Sequence, residues 1–314
     1  MDLKSLFQQA LAAHQAGNLA AAETLYGQLL AGKPGHPQVT YLLGALRARQ
    51  GRTAEAVELL EAALAAQPDS PAVLLHLGNA LQDLNRFEAA LEKYDRALAI
   101  KPGYGDAANN RGNALAALGR LDAALASFDA ALEVQPGDAG AWYNRGVALQ
   151  KALRPQEAIA AFDRALVLRP DMAEGWNNKG SALLMLKRAA DALPAFDRAL
   201  ALQPHNSQFR MNHATALQVL KRYDEALADY DRVMAGDPDF SNAWGGSGQG
   251  DPVSMRLGAP GKDGNGVAGA HSIRRQDQSP GAHQLYQRRR VAAGLRGRRD
   301  PRCRSASARA PVAG

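Results

Sequence analysis

Four asparagines recur at intervals of 34 residues, at positions where their side chains would share one face. They are Asn110, Asn144, Asn178 and Asn212, and together they are called the asparagine row. A carboxamide presents a donor and an acceptor side by side, which matches the N–H and C=O of an extended peptide backbone. Asparagine is also a poor helix former, so its repetition within a helical pattern needs a reason. The row therefore predicts a surface that binds peptides largely irrespective of their sequence.

Polar residues also stand next to the row. Asn109 and Asn177 stand beside row members in the sequence, and Asn79 and Asn113 share the face of the row. A cation directly follows three of the row members: Arg111, Arg145 and Lys179. We expect these cations to supply selectivity by charge. In the alternative interpretation, the asparagines cap helices or tie adjacent hairpins together, and the sequence leaves both open.

The elements that carry the row follow from a strict internal repeat. A proline occurs every 34 residues from Pro34 to Pro238, an alanine stands twelve residues before each proline, and an aromatic residue or leucine stands eight before it. Glycine recurs with the same period from Gly44 to Gly180. Each unit contains two apolar patterns of about 12 residues at helical spacing, separated by a short turn. The sequence therefore predicts an all-α chain of helical hairpins.

Turn and cap residues fit this prediction. The turn inside each hairpin suits a left-handed residue, and five are predicted there: Gly51, Asn85, Gly119, Lys187 and Lys221. The repeating proline ends the second helix, because it lacks an N–H and disfavours the helical conformation before it. Asp69 or Ser70 is expected to cap the next helix, with Pro71 at its first position. We expect the glycine of the first helix to face the alanine of the second, with the aromatic residue filling the next crossing.

The pattern of Trp, Gly, Ala, aromatic, Ala and Pro with period 34 resembles the tetratricopeptide repeat family, and it covers residues 3–240 as seven units. The resemblance implies a right-handed superhelical solenoid whose first helices line a concave groove. It also implies a non-catalytic scaffold whose partner is a protein or a peptide. The family usually has leucine where this chain has Arg111, Arg145, Lys179 and His213, so we expect an unusually polar groove with these heads in solvent.

The asparagine row also resembles the repeat arm of O-linked N-acetylglucosamine transferases, whose groove asparagines hold the substrate peptide. This second resemblance covers the repeats alone. It implies an alternative function, in which the chain is the substrate-recruiting arm of a glycosyltransferase whose catalytic domain is absent.

Catalytic patterns are not found. The seven histidines lack metal-ligand spacing, and the aspartates that recur from Asp95 to Asp231 are interpreted as a solvated, mixed-charge helix face. The tail contains a GxGxxG at Gly264, Gly266 and Gly269, but no strand precedes it. We therefore expect no catalytic residue, no metal site, no cofactor and no enzymatic activity.

The composition changes after residue 240. Residues 1–240 hold 24 Lys and Arg against 27 Asp and Glu, whereas residues 241–314 hold 13 against 4, so the net charge of +6 comes from the tail. Trp244 and Gly248 keep the repeat register, and then the pattern fails. The Gly/Arg/Ser/Pro-rich tail is predicted to be disordered, and its composition also fits GC-rich DNA read out of frame. We do not expect nucleic acid to be a partner.

The remaining expectations concern compartment and assembly. The single cysteine, Cys303, excludes an intramolecular disulfide, and no segment has the apolar run of a signal peptide or a membrane span. We therefore expect a soluble, cytoplasmic protein without membrane contact. A homo-oligomer is a further possibility, through apolar residues of the uncapped seventh repeat: Leu217, Leu220, Tyr223 and Leu227.

Overall fold

The computed structural model describes residues 3–236, which form fourteen α-helices and no strand. The helices are α1 (Leu3–Gln15), α2 (Leu19–Gly32), α3 (Pro37–Arg49), α4 (Thr53–Ala66), α5 (Pro71–Asp83), α6 (Phe87–Ile100), α7 (Gly105–Ala117), α8 (Leu121–Val134), α9 (Ala139–Lys151), α10 (Pro155–Leu168), α11 (Ala173–Met185), α12 (Ala189–Leu202), α13 (Ser207–Val219) and α14 (Tyr223–Gly236). The predicted all-α fold of seven helical hairpins is confirmed. The tail from residue 241, with Trp244 and Gly248, lies outside the described residues.

The hairpins stack in chain order. Each helix packs against its neighbours along the chain, and the first helices of successive hairpins, from α3 to α13, also approach one another with Cα atoms within 8 Å. The second helices approach one another less. A stack that is tighter along one row of helices curves toward that row, so the first helices line the inner face of the solenoid.

The two helices of a hairpin meet where glycine lies against a large side chain. A Cβ atom placed on Gly78, Gly112, Gly146 or Gly180 would come within 2.5–2.6 Å of the aromatic ring of the second helix, and one on Gly44 within 2.9 Å of Leu60. These four rings are those of Tyr94, Phe128, Phe162 and Phe196. The prediction that glycine faces alanine was wrong, because the ring itself occupies the space that the missing side chain leaves.

The turns inside the hairpins follow the prediction. The five predicted residues have positive φ angles of 58–76°, and Gly17 and Leu153 take the same conformation in the first and fifth hairpins. After each turn, an N–H donates to the carbonyl five residues earlier at 2.8–3.0 Å, as between Arg86 and Leu81. This bond and the left-handed residue together form the Schellman motif that ends the first helix.

The junctions between hairpins depend on proline. The residue before each proline from Pro34 to Pro204 has left the helical conformation, with φ between −143° and −130° and ψ between 74° and 85°. The proline therefore ends the second helix, as predicted. Ser70 caps α5 by accepting a hydrogen bond from the Val73 N–H at 3.5 Å.

One helix contains a proline in its interior. Pro194 lies in the second turn of α12, which continues through it to Leu202. Proline cannot donate a backbone hydrogen bond, so the carbonyl of Ala190 loses its partner within the helix. Three equivalent positions in the other hairpins are alanine: Ala126, Ala160 and Ala228.

Replacing the glycine under a ring is expected to destabilise the stack. In Gly112→Ala the new methyl group would lie 2.6 Å from the Phe128 ring, which must move within a close-packed interior. We expect the free energy of unfolding to fall by about 1–3 kcal/mol in urea titrations followed by circular dichroism. The control is Gly137→Ala, where nothing lies within 4 Å of the new methyl group. Equal effects of the two changes would contradict the packing argument.

Removing the interior proline is expected to stabilise the protein. Pro194→Ala restores one hydrogen bond and removes a steric conflict, so the free energy of unfolding should rise by up to about 3 kcal/mol. The reverse change at the equivalent position, Ala160→Pro, should lower it by a similar amount. A lower denaturation midpoint for Pro194→Ala would show that the proline is required where it is.

Candidate functional site

The asparagine row lies along the inner face of the solenoid. Its four members occupy the sixth position of α7, α9, α11 and α13, the first helices of four consecutive hairpins. All four side chains are half-buried, so each is held by its surroundings while part of it faces solvent. The regular stacking of the hairpins brings the row together as the sequence predicts.

At its N-terminal end, the row is joined to the preceding hairpins by hydrogen bonds. The Asn110 Nδ2 donates to Asn79 Oδ1 at 2.8 Å, and this oxygen also accepts from the Tyr94 hydroxyl at 2.8 Å. The Asn144 Nδ2 donates to Asn109 Oδ1 at 3.2 Å, while Asn109 Nδ2 donates to Asn110 Oδ1 at 3.4 Å. These residues thus form one continuous polar chain over three hairpins.

A second chain joins the last three hairpins. The Asn178 Nδ2 donates to the Tyr143 hydroxyl at 3.0 Å, and Asn212 Nδ2 donates to Asn177 Oδ1 at 2.8 Å. Asn177 is buried and donates to Asn178 Oδ1 at 3.2 Å, and Gln208 donates to Asn212 Oδ1 at 3.2 Å. Every row member therefore donates one hydrogen bond to the preceding first helix.

Binding capacity remains after these internal bonds are counted. A carboxamide has two N–H donors, and each row member uses one of them within the protein. The side-chain oxygen of Asn144 accepts no hydrogen bond from another described residue. The carboxamide of Asn113, which is half-buried, makes no hydrogen bond within residues 3–236. The asparagines tie hairpins together and still present unused donors and acceptors on the inner face.

The side chains of the three cations that follow the row point toward the preceding second helices, where they meet aspartates. The Arg111 Nε lies 2.6 Å from Asp95 Oδ1, and the Arg145 Nε lies 2.7 Å from Asp129 Oδ1. The Lys179 Nζ lies 2.6 Å from an oxygen of Asp163, and His213 Nε2 lies 3.2 Å from one of Asp197. The expectation that these heads extend into solvent was therefore wrong. These four aspartates belong to the preceding second helices, so the contacts join successive hairpins.

Aromatic side chains continue the inner face toward the N-terminus. The rings of Tyr41 and His76 pack edge to face with centroids 5.4 Å apart, and they occupy the same repeat positions as Asn109 and Asn110. Burial raises the pKa of Tyr41, and the Tyr104 phenol adds to this effect. Burial also lowers the pKa of His76, so its imidazole is neutral at pH 7. Tyr41 and His76 together are called the aromatic patch.

The seventh hairpin contains a buried charged group. The Asp229 side chain is 6% exposed, and its Oδ2 lies 2.5 Å from His213 Nδ1 while its Oδ1 lies 3.3 Å from an Arg210 nitrogen. Burial raises the pKa of Asp229, but the hydrogen bonds and charges of His213 and Arg210 outweigh it and hold the pKa below its ordinary value. This carboxylate therefore stabilises the packing of α13 against α14.

Sequence reasoning missed several members of the polar chains. Tyr143 stands one period from Asn109 and Asn177, so its place in the network was detectable from the repeat register alone. Asp229 gave no such signal, because alanine stands at the equivalent Ala161 and Ala195.

Residues 3–236 contain neither a metal-binding cluster nor a membrane-spanning helix. In that part of the chain, no group of three or more His, Cys, Asp or Glu side chains is placed to hold a metal ion. No helix there is long and apolar enough to span a bilayer.

Family models described as tetratricopeptide repeats match most of the chain. One matches residues 13–74 and 183–249, and another matches residues 75–139, 109–151 and 143–207. The chain belongs to the tetratricopeptide repeat family. The predicted resemblance is thereby confirmed, and the fold gives the protein the general role of a scaffold for interactions with other proteins.

Solved structures show the same fold at low sequence identity. A tetratricopeptide repeat protein from Parabacteroides merdae has 16% identity and a TM-score of 0.59 over 82% of this chain and 97% of its own. The C-terminal part of a repeat protein from Cytophaga hutchinsonii has 17% identity and a TM-score of 0.58 over 74% and 95%. YrrB, described as a TPR protein with an unusual peptide-binding site, has 22% identity and a TM-score of 0.51 over 58% and 94%. No curated protein matches the sequence.

Because the Asp229 carboxylate is buried and ion-paired, we expect the free energy of unfolding to depend on pH. Because the folded pKa of Asp229 lies below its ordinary value of 3.8, its contribution is fully present above that value and is lost as the pH falls through the folded pKa. We expect Asp229→Asn to lower the free energy of unfolding by about 1.5–3 kcal/mol at pH 7. The difference from the parent should shrink below about pH 4.

The matched control for this change is Asp171→Asn. Asp171 is exposed and makes no ion pair within the part of the chain that the structure describes. Urea unfolding between pH 3 and pH 7 measures both variants. A loss for Asp229→Asn that does not change over this range would contradict the assignment.

Proposed function

We propose that this protein is a non-catalytic scaffold that binds an extended peptide, or an extended segment of a partner protein, along its asparagine row. One observation carries the proposal: four half-buried carboxamides stand in line on consecutive first helices, and each keeps an unused N–H. Asn79 and Asn113 widen this polar face, and Asn113 has its whole carboxamide free of bonds to the described residues. Extended backbone is the ligand that such groups complement.

The internal hydrogen bonds support this function. They fix the rotamers of the row, so a ligand that binds there does not pay the full entropic cost of ordering four flexible side chains. Side chains held in place by neighbours are the usual basis of a pre-organised binding site. The tie between hairpins and the peptide site are thus two uses of the same carboxamides.

The ion pairs of the three cations change the role that we assign to them. Arg111, Arg145 and Lys179 are each within 2.7 Å of an aspartate, so their charge is locally balanced. We infer that they act mainly in holding hairpins together, at about 0.2–1 kcal/mol for each partly exposed pair. Selectivity by these charges stays a prediction.

Comparison with other repeat proteins supports a peptide ligand in a limited way. YrrB, which is described as having an unusual peptide-binding site, shares the fold at 22% identity. The glycosyltransferase-arm alternative depends on the resemblance of the asparagine row alone, and it stays a prediction.

A peptide selection tests the proposal. A random 12-residue phage library is selected against the full chain, and enriched peptides are measured by fluorescence polarisation. We expect Asn144→Ala combined with Asn178→Ala to weaken their binding roughly 5- to 100-fold, since a hydrogen bond contributes about 0.5–1.5 kcal/mol.

Two further variants make the result decisive. Asn113→Ala removes a carboxamide that no internal bond uses, so it should weaken binding without lowering the free energy of unfolding. Gln156→Ala removes an exposed carboxamide from a second helix and should leave binding unchanged. Full affinity in both asparagine variants would remove the row from the site and with it this proposal.

A further inference from the structure

The asparagine row sets a fixed step for any ligand that follows it. Cα atoms of successive first helices come within 8 Å of one another, and the axes of packed helices lie about 8–10 Å apart. Direct side-chain bonds across this distance, such as Asn144 to Asn109 and Asn212 to Asn177, hold the spacing. A bound peptide therefore meets one row member about every 8–10 Å.

This step corresponds to three residues of extended chain. A polyproline II helix rises about 3.1 Å per residue and completes one left-handed turn in three residues, or about 9.3 Å. A β-strand rises about 3.3 Å per residue, but residues three apart then point to opposite faces. Only the polyproline II conformation presents the same backbone edge at each of the four asparagines.

The hydrogen-bonding groups agree with this geometry. A polyproline II segment makes no internal hydrogen bonds, so its backbone carbonyls are free to accept. Each row member keeps one N–H to donate, and Asn144 also keeps its oxygen as an acceptor. One bond per turn satisfies both partners without requiring any particular side chain.

The aromatic patch extends the same face where the row ends. Tyr41 and His76, whose rings pack edge to face with centroids 5.4 Å apart, stand at the repeat positions of Asn109 and Asn110. Aromatic surfaces are the usual contacts of proline-rich polyproline II ligands. With the cations balanced by aspartates, charge adds little to the selection of such a ligand.

Building on the proposed function, we infer that the asparagine row binds a proline-containing segment in the polyproline II conformation, with one turn for each hairpin. The backbone of every third residue meets one row member. Four row members therefore engage about ten residues, and the aromatic patch packs against the rings of further prolines. The partner class is a protein with an exposed proline-containing segment of this length.

A length series tests the three-residue step. Fluorescein-labelled peptides of the repeating triplet Pro-Ala-Ser, with two, three, four and five triplets, are titrated against the full chain by fluorescence polarisation. Affinity should rise roughly two- to tenfold with each added triplet up to four, because each triplet engages a further asparagine, and a fifth triplet should add only the contact of its proline with the aromatic patch. Asn110→Ala removes one end of the row and should abolish the gain from one triplet, whereas Gln156→Ala should leave the series unchanged.

Two twelve-residue peptides test the conformation. Four Gly-Ala-Ser triplets keep the length and the period without the polyproline II preference, so four Pro-Ala-Ser triplets should bind at least about fivefold more tightly, since the preformed helix lowers the entropic cost of binding. Six Pro-Ser pairs keep that preference and should bind at least as tightly as four Pro-Ala-Ser triplets, because the asparagines contact the backbone.

The outcomes separate the two proposals. Equal binding of the three twelve-residue peptides, still weakened by Asn144→Ala with Asn178→Ala, would overturn the polyproline II inference and leave peptide binding intact. Pro-Ala-Ser binding that is indifferent to both changes would overturn the inference and the proposed site together. The absence of binding by every triplet peptide, while library peptides bind through the row, would also overturn the inference.

Discussion

Each hairpin depends on the close contact between a small residue of its first helix and the large side chain that covers it. In four hairpins the ring lies so near the glycine that a methyl group would come within 2.6 Å of it. This contact fixes how closely the two helices approach, because a close-packed interior leaves no free space for adjustment. The separation of the helices in turn sets where the next hairpin can pack. The spacing of the inner face, and so of the asparagine row, follows from it.

Two kinds of polar contact, ion pairs and carboxamide hydrogen bonds, hold successive hairpins to one another. Ion pairs such as Arg145 with Asp129 join a first helix to the preceding second helix. Carboxamide bonds such as Asn144 to Asn109 join first helices directly. Neither system is strong per contact, since partly exposed pairs and single hydrogen bonds contribute about 1 kcal/mol each. Equivalent contacts recur at the four junctions from the third hairpin to the seventh, and this repetition keeps that part of the stack regular.

The pairing of charged side chains between helices has a consequence for the inner face. The charges are used between helices, so the groove presents mainly neutral groups, with carboxamides in the middle and the rings of Tyr41 and His76 toward the N-terminus. A neutral face with evenly spaced donors fits backbone better than charged side chains. In the proposed complex, such a face would select its ligand by conformation and length, with the period of the protein setting the period of the bound segment.

The sequence by itself determined what is local. Gly51 and Asn85 marked left-handed turns, the prolines marked helix ends, and the 34-residue period placed seven hairpins, because backbone preferences act within a few residues. Only the tertiary structure decided that Asp129 pairs with Arg145, and that a ring rather than the alanine lies nearest to four of the repeating glycines. A repeat period shows which residues occupy equivalent positions in successive hairpins. It does not give the rotation and distance between packed helices, which depend on the volume of every side chain at the contact.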